Sequence, residues 1–172
     1  MSRTVLARRL GRLCVVMALV STAVAAAWSP AAADATTANQ RVRIVFAGGY
    51  SGVALASGVI NAVGAAQEES TLHPDGSFVG RLTFRFPLGT VTAPFEGQVT
   101  SVTVDPTTCV GRFTSVGSFT IGSATGLYRG TTGHGTFTEA GMFNSLPTPS
   151  GCSPEPLLRT LLVTEAVAHI SR

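Results

Sequence analysis

The chain has 172 residues and a net charge of +3, with twelve arginines, no lysine and nine carboxylates. Its 45% hydrophobic content excludes a disordered polar chain. Four of the arginines (Arg3, Arg8, Arg9 and Arg12) precede residue 13; without them eight face nine carboxylates, a net −1 that leaves no cationic cluster for nucleic acid or an anionic membrane surface.

Those four arginines form the charged start of an export signal. Leu13 to Ala27 is its apolar segment, and Ala31, Ala32, Ala33 and Ala35 supply small residues for cleavage after Ala33 or Ala35, with an earlier cut after Ala27 as the alternative. The apolar run falls short of the roughly 20 residues a bilayer span needs, so no stable membrane anchor is expected after processing. Gly11 and Arg12 stand where a twin-arginine signal prefers apolar residues, which favours the general secretory route. Processing would remove residues 1–33 together with Trp28, the only tryptophan. A flexible segment at 34–39 and one domain over 40–172 would remain, enough chain for a single core.

Gln40 to Gly48 alternates Val42, Ile44 and Phe46 against Arg41 and Arg43, which predicts a strand with one wet face. Val53 to Ser70 mixes β-branched residues and alanines around Gly58 and Gly64; the glycines weigh against a straight helix, and the segment reads as one bent strand. His73-Pro74-Asp75-Gly76 is a turn. Beyond it Phe78, Gly80, Leu82, Phe84 and Phe86 share one face and Val79, Arg81, Thr83 and Arg85 the other, the clearest period of two in the chain. Pro87 ends that strand. Further strands are expected at Gly89–Ala93 and Phe95–Val104, followed by a turn at Asp105-Pro106.

Between Gly111 and Phe137 glycines recur among Thr, Ser, Phe and Tyr, a pattern suited to short twisted strands and tight turns. It divides into Thr108–Ser115, Val116–Ile121 and Thr132–Glu139. The segment from Leu146 to Pro156 holds Pro147, Pro149, Gly151, Pro154 and Pro156 and reads as a long irregular crossover. Leu157 to Ile170 has leucines at helical intervals, but its β-branched residues favour a strand. About eight short strands predict an all-β fold, an antiparallel barrel or, alternatively, a β-sandwich. Cys109 and Cys152 remain after processing of an exported chain and are expected to form one structural disulfide.

The run from Thr120 to Gly133 (TIGSATGLYRGTTG) resembles the glycine-rich signature of the allene oxide cyclase and dirigent β-barrel superfamily, with Gly-Ser-Ala-Thr-Gly where that family has a tighter turn. The Asp105-Pro106-Thr107-Thr108-Cys109 turn, the Gly117–Ile121 strand and the late second cysteine are similar to a group of small exported actinobacterial proteins. The resemblance implies a barrel and carries no catalytic residue across.

Candidate chemistry is sparse. Gly49-Tyr50-Ser51-Gly52 has Val53 where a nucleophile elbow needs glycine, so Ser51 reads as a loop residue. Adjacent Glu68 and Glu69 would face opposite sides of a strand and read as solvated charges. His73, His134 and His169 share no metal-ligand spacing, and His134 reads as a wet-face residue. If the phenylalanines point inward, Arg81 and Arg85 point outward, within reach of Glu96. No catalytic residue, metal or cofactor is indicated. The favoured function is non-enzymatic binding of a small apolar ligand or an extracellular partner, with Phe78, Leu82, Phe84, Phe86, Phe95 and Tyr128 as contacts. A cyclase or dirigent-like isomerase, which requires an ordered polar group among the aromatics, and a cell-surface module are the alternatives.

Overall fold

The computed structural model describes residues 37–172, apart from the side chains of residues 154–158; the expected leader, its cleavage positions and Trp28 lie outside the described residues. The strands are β1 (Ala38–Ala47), β2 (Ser51–Ser57), β3 (Ala62–Leu72), β4 (Ser77–Phe86), β5 (Gly89–Val104), β6 (Val110–Thr120), the two-residue β7 (Ser123–Ala124), β8 (Thr132–Thr148) and β9 (Gly151–Ser171). Neighbours pair antiparallel in the order β4-β3-β2-β1-β9-β8-β6-β5, and β4 pairs again with β5. The ring therefore closes into an eight-stranded antiparallel barrel, which leaves no long sheet edge unpaired. β7 adds a short pairing to β5, and a 3-10 turn, Gly126–Tyr128, follows it.

Alternation along each strand sends one set of side chains into the lumen. Ile44, Phe46, Ala54, Ala66, Phe84, Phe86, Val91, Ala93, Phe95, Phe137, Leu162, Ala166 and Ile170 are buried there. Arg81 and Arg85 point to solvent, as their opposition to the phenylalanines requires. The two ion pairs among the described residues, Arg43–Glu165 and Arg159–Glu68, involve neither of them.

The lumen is filled by a repeated pairing of ring and glycine. A side chain at Gly52 would meet Phe46 on the adjacent strand, and the same holds for Gly64 with Phe86, Gly80 with Phe95, Gly97 with Phe78, Gly111 with Phe143, Gly117 with Phe137, Gly135 with Phe119 and Gly141 with Phe113. Of the nine phenylalanines only Phe84 lacks such a partner. A barrel of this bore has no room for large residues facing each other on every strand; a ring laid over a bare backbone position fills the space and covers an otherwise weak strand residue.

Several boundaries differ from the sequence expectation. Val53–Ser70 is not one bent strand but parts of β2 and β3, separated by a turn at 58–61. Gly58 occupies φ +135°, backed against Asn39 O, while Gln40 reaches into the turn: its Nε2 donates to Ser57 O and Ile60 O, both at 3.0 Å, and its Oε1 accepts from Ile60 N at 2.8 Å. The two strands expected on either side of Pro94 are one, β5. Pro94 falls between the last β6 pair, Phe95 with Phe119, and the first β7 pair, Thr92 with Ser123, where its missing N–H interrupts no ladder. Thr108–Ser115 and Val116–Ile121 likewise merge into β6.

The largest correction concerns Leu146 to Pro156. It is the end of a long β8–β9 hairpin rather than an irregular crossover, with register shifts from Met142 to Pro147 absorbing its irregularities. The hairpin runs past the first residue of β6, Val110, which pairs with Asn144. Cys109, in a left-handed turn conformation (φ 54°) just before β6, is disulfide-bonded to Cys152 at a Cα–Cα distance of 5.4 Å, pinning the overhanging tip to the β5–β6 turn.

Candidate functional site

The lumen holds two cavities of about 40 Å³ each. Val42, Phe84, Ala93, Phe119 and Ala166 wall both, so these side chains form the partition between them. The cavity toward the Gln40 end is otherwise apolar, lined also by Phe86, Val91, Ile121 and Ile170. As they stand, each has room for about three waters at most.

The other cavity is different in kind. Phe84, Phe95, Phe119, Phe137 and Leu82 line it together with Glu68, Glu139 and Thr164. Glu139 on β8 points inward between glycine and phenylalanine positions. It accepts from Ser115 Oγ on β6 at 2.7 Å and from Thr164 Oγ1 on β9 at 3.0 Å, and both hydroxyl residues are fully buried. Burial pushes its carboxyl above the usual glutamate range and the Glu68 charge adds to the rise, outweighing the two hydroxyl donors and Arg159. The result is an acid that holds its proton at higher pH than a surface glutamate and faces open space among aromatic rings.

Glu68 corrects the reading of a solvated charge. It is 7% exposed, on the inner face of β3, while Glu69 faces solvent. Arg159 of β9 binds it with both terminal nitrogens, Nη2 to Oε2 at 2.8 Å and Nη1 to Oε1 at 3.2 Å, and Ser70 Oγ donates to Oε1 at 2.6 Å. The guanidinium also donates to Gly49 O at 3.4 Å and lies over the rings of Tyr50 (4.8 Å) and Phe46 (5.5 Å). This cluster ties β9 to β3 and to the β1–β2 turn, close to one mouth of the barrel. The partner of Glu68 lies in a distant strand, which no local spacing could indicate.

The residues expected to contact a ligand all face inward, but not at one place. Leu82, Phe84 and Phe95 line the acid-bearing cavity and Phe86 the apolar one. Phe78 packs against Phe95 and Phe137, with ring centroids 6.1 and 6.2 Å apart. Tyr128, carried in by the 3-10 turn, stacks edge-on against Phe86 at 5.9 Å and closes the opposite end of the lumen. Ser51 begins β2 on the outer face. Among the described residues no three His, Cys, Asp or Glu side chains come together as a metal centre. The chain matches no protein-family model, no curated protein and no solved structure.

Proposed function

We propose that the processed chain is an extracellular barrel that binds, without catalysis, a small and mainly apolar molecule in its lumen, anchored through one polar group on Glu139. The observation that carries this reading is a hydroxyl-buttressed acid facing a cavity walled by phenylalanines. Burying a carboxyl group there is costly unless it is hydrogen-bonded; Ser115 and Thr164 each donate to one of its oxygens, and the remaining acceptor sites can take a ligand hydroxyl. A ligand larger than a few atoms would enter by displacing the half-buried Phe119, which would join the two cavities. The export signal expected from the sequence, together with the Cys109–Cys152 disulfide, supports the extracellular setting.

Native mass spectrometry of protein purified from its own culture medium tests the reading, with one small molecule expected per chain. Phenol, a ring with one hydroxyl, should raise the melting temperature more than toluene does, and Glu139→Leu should abolish that preference. A wild-type protein that carries nothing and responds equally to both compounds would overturn it.

The same acid supports a second reading, an isomerase or cyclase like those of the allene oxide cyclase and dirigent barrels, because an ordered polar group among aromatics is what steering a reactive intermediate needs. Recovery of a chemically altered ligand would favour it. An extracellular protein partner, or a cell-surface role, would instead use the outer face, where exposed Leu55 and Val63 border an open groove with Arg41, Arg43 and Glu165.

A further inference from the structure

We propose that the outer wall of the barrel carries a two-histidine site for a divalent transition metal, formed by His134 and His169 across the β8–β9 pair. The residues are direct partners in the antiparallel register, and both are exposed. Their imidazole centroids are 6.2 Å apart with the rings tilted by 53°, so they face each other without stacking. With metal–nitrogen bonds of about 2.0–2.1 Å, one ion bound by both rings at a tetrahedral angle holds the centroids roughly 5 Å apart. Rotation of two exposed side chains supplies that closure, and the backbone need not move.

The site is presented on the outer face of two paired strands of a closed barrel, so the ion need not order a flexible segment. Asn39 of β1 stands opposite His169 and Thr120 of β6 opposite His134, which continues a polar row on either side. Two imidazoles leave the remaining positions to water or to a donor from another molecule. Imidazole ligation suits copper, nickel and zinc, and copper(II) binds tightest by the general order of divalent affinities. The site lies outside the lumen and is independent of the ligand proposed there.

Copper(II) titration of the processed protein, followed by NMR of the histidine ring protons, provides the test. His134 and His169 should broaden together at substoichiometric metal while His73, in the β3–β4 turn, broadens much less. His134→Asn and His169→Asn should each weaken copper binding about tenfold or more, because each removes a second ligand held at high effective concentration. Both side chains are exposed, so neither substitution threatens folding. Equal broadening of all three histidines, or single variants that bind copper as the wild type does, would overturn the proposal.

Discussion

Replacing Arg159 with methionine keeps an apolar stem and removes the guanidinium from a partner that cannot follow it into water. Glu68 is 7% exposed and the Arg159 side chain 19%, so solvent screens the pair poorly. The variant leaves Glu68 with Ser70 as its remaining donor and removes the contacts to Gly49 O, Tyr50 and Phe46. Uncovering one member of such a pair costs about 3–5 kcal/mol, mostly the penalty of an uncompensated buried charge. For a domain of this size that is a fall of roughly 10–20 °C in melting temperature. Glu68→Gln combined with Arg159→Met removes both charges and should recover most of the loss. Thermal and urea unfolding of the oxidised protein, followed by far-ultraviolet circular dichroism at pH 7, would measure the three proteins side by side. If Arg159→Met lies within about 1 kcal/mol of wild type, or if the double variant is no better than the single one, the charge argument is wrong.

Glu139→Gln should change how stability depends on pH. The folded carboxyl titrates above its unfolded value, so its contribution is complete below the ordinary glutamate range and is lost as pH rises through the folded value. Wild type minus Glu139→Gln should therefore show stability falling with pH in that window, in urea midpoints taken between about pH 4 and 8. Asp75 and Asp105, held low by turn hydrogen bonds from Ser77 and from Thr107 and Thr108, act in the opposite sense and cancel in the difference. Gly117→Ala should cost about 1–3 kcal/mol by pressing on Phe137 and on Glu96 O, and adding Phe137→Leu should recover part of it; an additive double variant would contradict the contact. Paired Cys109→Ser and Cys152→Ser changes should lower stability by about 4 kcal/mol on the chain-entropy model, for a sequence separation of 43. Thiol titration of the denatured, unreduced wild type should find no free cysteine.

What the sequence made legible was periodicity. Phe78 to Phe86 alternates so cleanly that both the strand and its inner face follow from it, and Gln40 to Gly48 behaves likewise. The glycines were half legible. Gly58, Gly76 and Gly126 have positive φ and end strands, but Gly64, Gly97 and Gly117 lie within strands, where the reason for glycine is a ring on the next strand. A cue existed, since inner positions of β6 run Gly111, Phe113, Ser115, Gly117, Phe119, yet the partner of each ring depends on a register that one strand cannot reveal. The prolines near residue 150 misled for a related reason: they forbid an uninterrupted ladder, and β8–β9 accommodates them at shifts in its pairing. Glu139 with Thr164 and His134 with His169 are made by the paired strands β8 and β9, and Glu68 with Arg159 by β3 and β9, which β2 and β1 separate in the sheet. Hairpin register made the first two and the curl of the sheet the third, and local spacing was silent about all of them.

The ring-over-glycine pairs make the bore of this barrel a shared property of adjacent strands. Enlarging the interior by trimming one phenylalanine uncovers a bare stretch of main chain next door, while adding bulk at the glycine evicts the ring. A change in the shape of the interior would therefore proceed by coupled exchanges on neighbouring strands, and homologous barrels with differently shaped interiors should differ at such positions two at a time.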